Sequence, residues 1–271
     1  MSSVTKKIKD FFGMKELPFR KEVRHNELFE SDDMKECLTR LELALESEEF
    51  ILIFGQPGCG KSNILVKFVH QLDKNVYQPA YIASGKNIGE VAKDILKELK
   101  FNMPFHGTAA VRLLKNELHT LCQQKGKLPV IIIDEADSIS PLTLSNLKLL
   151  TNFSMDSRRE ALFILCGAEQ IESTLKLAAL EALRQRIQLR YKVKGLSIEE
   201  VSRYIDHHMK ICGVERKVFS DDAKAEIYRA SNGTMRVINE ICYNLIIYAV
   251  AQKKDIIEAS LLSEVLLWNG K

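Results

Sequence analysis

Eight consecutive residues, Gly55-Gln56-Pro57-Gly58-Cys59-Gly60-Lys61-Ser62, constrain the fold of this chain more than any other feature. They spell G-x-x-x-x-G-K-[ST], a phosphate-binding loop that works only between a strand and a helix. Glycines at 55, 58 and 60 leave no Cβ in the way, so backbone N–H groups of the loop can close around phosphate oxygens. Lys61 supplies a mobile positive charge for the β- and γ-phosphates, and Ser62 a hydroxyl for Mg²⁺. The flanks agree. Phe50-Ile51-Leu52-Ile53-Phe54 predicts a buried strand, and residues 63–72 predict a helix whose first turn, from Asn63, faces the phosphates.

A loop of this kind needs a second strand ending in acids. Val130-Ile131-Ile132-Ile133-Asp134-Glu135 provides one. Four apolar, β-branched residues predict a strand buried on both faces, as in a parallel sheet. Its acids then fall at the carboxyl end, where open α/β sheets hold their ligands. Asp134 is expected to hold Mg²⁺ through water, and Glu135 to orient and deprotonate an attacking water. Asp134-Glu135-Ala136-Asp137 also spells a helicase signature, but no Ser-Ala-Thr motif follows it and strand unwinding is not the reading adopted.

Around these two motifs the pattern alternates. Helices are expected over 33–47, 88–100 and 109–124, further strands over 80–83, 161–165 and 187–189, and a helix start at Ser140-Pro141, a cap residue followed by a proline. Such βα alternation predicts a parallel sheet covered on both faces. Beyond Leu196 only helix signals remain, over 197–212, 220–230, 234–251 and 258–268. The first carries a capping box, Ser197 with Glu200. The third places Met235, Val237, Ile238, Ile241, Cys242, Leu245, Ile246 and Val250 on one face. The expected organisation is an N-terminal segment with a first helix (1–48), an α/β nucleotide-binding domain (49–194) and an all-helical lid (195–271).

Composition excludes some classes of function. No apolar run approaches the roughly 20 residues needed to span a bilayer. The charged stretch 1–10 lacks a signal-peptide core, and the six cysteines form no C-x-x-C pair. A cytoplasmic protein with free thiols and no membrane partner is expected. His207-His208 reads as a polar patch on a helix. Net charge is only +3, but residues 84–115 hold six Lys or Arg against three acids, and residues 1–24 seven against three. These stretches read equally as solvated helix faces or as a DNA-contact surface.

Two arginines stand out by position. Arg236 falls in the first turn of its helix, where a cation opposes the helix dipole by about 0.3–1 kcal/mol. Its charge is therefore expected to serve a nucleotide phosphate. Arg184 and Arg186 are two apart before the fifth strand, so in an extended segment they would share a side.

Taken in order, these motifs resemble the AAA+ ATPase superfamily, within its ExeA-like group, over nearly the whole length. Residues 11–19, Phe-Phe-Gly-Met-Lys-Glu-Leu-Pro-Phe, resemble the group's N-terminal segment near the nucleotide base, which implies a cofactor contact for Phe19. Residues 55–62 and 131–135 correspond to Walker A and Walker B, and residues 147–156 resemble the helix after Walker B. Leu183-Arg-Gln-Arg186-Ile187 is similar to the segment carrying the arginine finger, with Arg186 at the finger position. Gly195-Leu-Ser-Ile-Glu-Glu200 and Tyr204-Ile-Asp-His-His208 resemble the start of the lid, and Gly233-Thr-Met-Arg236-Val-Ile-Asn239 resembles sensor 2. One departure falls after the fourth strand. Relatives place a polar sensor-1 group there, but Ala168 cannot serve, which leaves Glu169 or Gln170.

The resemblance implies ATP and Mg²⁺ as cofactors, Lys61, Glu135 and Arg186 as the hydrolytic residues, and assembly into an ATP-dependent ring or helical filament. It is strongest to the transposition helper ATPases of the TnsC/TniB type, which bind double-stranded target DNA and recruit or activate a DDE transposase. Lys86, Lys100 and Arg112 would then face DNA along the ring axis. Two alternatives stay open: a secretion-system ATPase of the ExeA type, and a nucleotide-gated scaffold without DNA binding.

Overall fold

The computed structural model describes residues 3–20, 24–47, 49–83, 85, 87–151 and 159–268. In chain order its helices and strands are α1 (Ser3–Phe12), α2 (Asp32–Ser47), β1 (Phe50–Gly55), α3 (Lys61–Gln71), β2 (Tyr77–Ile82), α4 (Ile88–Glu98), α5 (Gly107–Gln123), β3 (Leu128–Ile133), α6 (Pro141–Asn146), β4 (Leu162–Gly167), α7 (Gln170–Leu175), α8 (Glu181–Arg186), β5 (Ile187–Val193), α9 (Ile198–Ile211), α10 (Asp221–Ser231), α11 (Met235–Ala251) and α12 (Ala259–Trp268). They form two compact units. One comprises residues 33–57 and 61–193, the other residues 1–32, 58–60 and 194–271.

The first unit is built on a five-stranded sheet of order β2-β3-β4-β1-β5, parallel throughout. β1 and β4 lie inside it and are buried at every position, as their unbroken apolar runs require. Phe50 stacks on its register partner Phe163, ring centroids 5.2 Å apart. β2 starts three residues earlier than its sequence signal. It is an edge strand paired only with β3, so Pro79, which lacks an N–H, breaks no ladder. Ser140 caps α6 by accepting the N–H of Thr143, with Pro141 at the first helical position. The end of α2 is capped from a distance: the Arg159 guanidinium donates to the carbonyls of Ala44, Leu45 and Glu46.

One local expectation is corrected here. Arg184 and Arg186 lie in the short helix α8, not in an extended segment. Glu-Ala-Leu-Arg-Gln-Arg is a run of good helix formers. Residues two apart in a helix point in nearly opposite directions. Arg184 accordingly pairs with Glu181 one turn back, while Arg186 turns elsewhere.

The second unit is helical. Ser197 accepts the N–H of Glu200, and the Glu200 carboxylate accepts the N–H of Ser197 at 2.9 Å, completing the capping box. The other Glu200 oxygen accepts the backbone N–H of Asp32 at 2.8 Å. Along α11 the buried stripe is Met235, Ile238, Ile241, Cys242, Leu245, Ile246 and Ala249. Val237 and Val250, expected in that stripe, sit at its partly buried flanks.

One further expectation is corrected in this unit. His207 and His208 do not form a solvated polar patch. The His207 Nε2 donates to the Glu27 carbonyl at 2.7 Å, and His208 is buried against Tyr204. Phe19 packs in this core: it is 6 % exposed, with its ring stacked on His208 and edge-on to Phe219. A large aromatic ring at this position gains more from that apolar packing than from solvent. Among the described residues no helix is long and apolar enough to cross a membrane.

Candidate nucleotide-binding site

The phosphate loop runs from the end of β1 to the start of α3. Within it Gly58 and Gly60 adopt φ of 84° and 104°, conformations that L side chains rarely take. Both also meet neighbours closely. A Cβ on Gly58 would lie 2.6 Å from the Arg236 Cβ, and one on Gly60 3.1 Å from the Met235 Sδ. The Arg236 backbone N–H donates to the Gly58 carbonyl at 3.2 Å, while its side chain is exposed. The glycine turn and the first turn of α11 are thus held together within the helical unit.

In the sheet unit the charged groups converge. Lys61 folds back over the loop, its Nζ donating to the carbonyls of Gly55 at 2.9 Å and Gln56 at 3.0 Å. Ser62 follows it in the first turn of α3, with its Oγ 3.4 Å from the Asp134 Oδ2. These residues are 72 positions apart in sequence. They meet because β1 and β3 are both parallel to β4, one on each side of it, so their carboxyl ends share one edge of the sheet. The strand ladder extends to the metal-site candidate itself: the Asp134 N–H donates to the Ile82 carbonyl.

Glu135 is the next residue. It is exposed and left-handed, φ 53° and ψ 34°. A non-glycine residue in that region costs on the order of 1–3 kcal/mol, and such strain clusters where a side chain must be aimed. Its backbone N–H donates to the Asp134 Oδ1 at 2.9 Å, and its carbonyl accepts the Ser138 hydroxyl at 2.8 Å.

Two partners escaped the sequence reading. The Tyr81 hydroxyl donates to the Asp134 Oδ2. Burial, and then this bond to the carboxylate, push the phenol well above its usual range. Asp137 closes the other side. Its Oδ1 accepts the Ala168 N–H at 2.7 Å, and a Cβ on Gly167 would lie 2.8 Å from that oxygen, which accounts for the glycine at the end of β4. The only sequence signal for Asp137 was its place in the acidic tetrapeptide. Of the sensor-1 candidates, Glu169 pairs with Lys192 at 3.1 Å, and Gln170 lines with them a cavity of about 490 Å³ that also touches Gln56 and Pro57.

Arg186 is half-buried. Its Nη1 donates to the Thr151 Oγ1 at 2.8 Å and lies 3.5 Å from the Glu49 carboxylate. Lys100, at φ 63°, and Arg112 on α5 are exposed, whereas Lys86 lies outside the described residues, as do residues 152–156 of the segment likened to the helix after Walker B.

The donor set fits the group the loop implies. A hydroxyl and a carboxylate are hard oxygen ligands of the kind Mg²⁺ takes. A lysine ammonium at a helix N-terminus that follows a glycine-rich loop suits polyphosphate.

Sheet order, loop and acidic strand define the P-loop AAA+ fold, with a helical C-terminal region. Comparison with known proteins agrees. Residues 44–175 match the family described as an AAA domain. The chain is 30% identical over 248 residues to General secretion pathway protein A of Aeromonas hydrophila, a match covering 89% of this chain and 45% of that protein, so the chain spans under half of that relative's length. Among solved structures it resembles the Aeropyrum pernix ORC2 protein, at TM-score 0.69 and 17% identity over 92% of this chain and 70% of that one. It also resembles the Aeropyrum pernix ORC1 protein solved in complex with DNA, at TM-score 0.63 and 13% identity over 93% and 67%.

Proposed function

We propose that this chain is an ATP hydrolase that assembles on double-stranded DNA as an ATP-dependent ring or helical filament, and there recruits or activates a DDE transposase. The observation that carries the nucleotide half of this reading is the approach of Ser62 to Asp134 at 3.4 Å beside Lys61. In this reading the glycine turn and Lys61 bind the phosphates, Ser62 and Asp134 hold Mg²⁺, and Glu135 activates water. Arg236 adds a charge from beside the glycine turn, and Arg186 reaches the γ-phosphate of a neighbouring subunit. Bound Mg²⁺ supplies charge neutralisation at the transferring phosphoryl group.

Support for DNA comes from Lys100 and Arg112, both exposed, and from the segment between α4 and α5, where Phe105 is 89% exposed. A similar fold, that of Aeropyrum pernix ORC1, has been solved with DNA. A filament needs only one or two phosphate contacts per subunit, so a net charge of +3 suffices. The test is duplex binding with and without ATP at two salt concentrations. Affinity should need ATP, fall steeply with salt, and weaken about equally on all sequences in the Lys86→Glu, Lys100→Glu double variant.

A second reading, an ATPase of a secretion system, is favoured by the similarity to General secretion pathway protein A. Absence of any ATP-dependent DNA binding in the unmodified protein would transfer the assignment to it.

A further inference from the structure

Tyr81 is 45% exposed on an edge strand, and core packing does not explain it. Its neighbours Ala80 and Ile82 point into the core, so strand alternation puts Tyr81 on the opposite face. Tyr81 is the register partner of Ile132 on β3. Asp134, two residues beyond Ile132, shares its face and is the diagonal neighbour, a separation that a long aromatic side chain spans. The phenol hydroxyl ends on the Asp134 Oδ2, the same oxygen that faces Ser62. The other oxygen, Oδ1, accepts the Glu135 N–H. The carboxylate is therefore held at both oxygens by groups from two segments, with one side of Oδ2 turned toward the Ser62 hydroxyl.

We infer that Tyr81 is a positioning residue for the divalent cation: its hydroxyl holds the Asp134 carboxylate in the orientation that the metal meets. This rests on the Mg·ATP reading above and adds to it a residue outside both Walker motifs. Groups that hydrogen-bond to a metal ligand typically contribute 10–100-fold in metal affinity by fixing the ligand's direction. Phenylalanine keeps the ring and its packing and removes only the donor.

The experiment is a calorimetric Mg²⁺ titration of protein saturated with ADP, alongside ADP binding in EDTA, for the unmodified protein and Tyr81→Phe. The expected result is an Mg²⁺ dissociation constant raised about tenfold in Tyr81→Phe, with metal-free ADP binding and thermal midpoint unchanged. In an Asp134→Ala background, adding Tyr81→Phe should change nothing further. Unchanged or tighter Mg²⁺ binding in Tyr81→Phe would overturn the inference, as would an undiminished effect without the Asp134 carboxylate. Failure of the unmodified protein to bind ADP with Mg²⁺ dependence is a separate result, and would overturn the nucleotide reading on which it rests.

Discussion

The Arg186 guanidinium donates to the Thr151 hydroxyl at 2.8 Å and stands 3.5 Å from the Glu49 carboxylate, so the residue at the finger position has partners inside its own chain. A finger acting on a neighbour would have to leave them, which makes assembly a competition between internal and intersubunit contacts. Arg186→Ala should lower ATP turnover by about 10³-fold or more, the scale of arginine fingers elsewhere. Mixing Arg186→Ala with Lys61→Ala subunits should restore part of it, because each then supplies what the other lacks. If both variants are inactive alone and no ratio recovers phosphate release, Arg186 acts only as an internal strut.

The left-handed Glu135 beside Asp134 leads to a second expectation. Glu135→Gln keeps the shape and removes the base, so ATP should still bind while turnover falls by about 10²–10⁴-fold. Lys61→Ala removes the charge at the loop and should abolish binding itself. Phosphate release and fluorescent-nucleotide titration separate the two. Normal turnover in Glu135→Gln would remove Glu135 from the chemistry.

Glu200 is buried and accepts two backbone N–H groups, from Ser197 and Asp32. Glu200→Ala removes both bonds and should cost about 2 kcal/mol in urea unfolding, at about 1 kcal/mol for each hydrogen bond lost. Glu200→Gln retains one acceptor oxygen and should recover part of that loss. Equal stability of all three proteins would mean that water replaces the carboxylate at no cost.

His208 carries a pH dependence. Burial, followed by the neighbouring His207, pushes its pKa down to about 3 from 6.5. The unfolded chain therefore binds a proton that the folded chain refuses between these values. Stability from this group is complete above about pH 6.5 and falls on acidification toward pH 3, by up to about 1.4 kcal/mol per pH unit. His208→Gln should flatten this part of the profile, measured by denaturant unfolding from pH 7 to pH 4. A profile of unchanged slope would show that His208 titrates in water-like surroundings.

What the sequence determined by itself was local or periodic. The phosphate loop is contiguous, the β1 and β3 runs are apolar without a break, and the α9 capping box lies within four residues; each is recognisable because its partners are near in the chain. The parallel sheet followed from alternation, and the helical region from the loss of it. What the tertiary structure decided depends on pairs far apart. Tyr81 reaches Asp134 only through the register of β2 on β3, and Asp137 explains Gly167 only once β4 lies beside β3. The surroundings of the Phe19 ring are set by His208 and Phe219, nearly 200 residues away. Arg186 was read in an extended segment and sits at the end of a six-residue helix, where good helix formers need tertiary partners to hold so short an element. Local chemistry could be read along the chain; the aim of each side chain required the register of the strands.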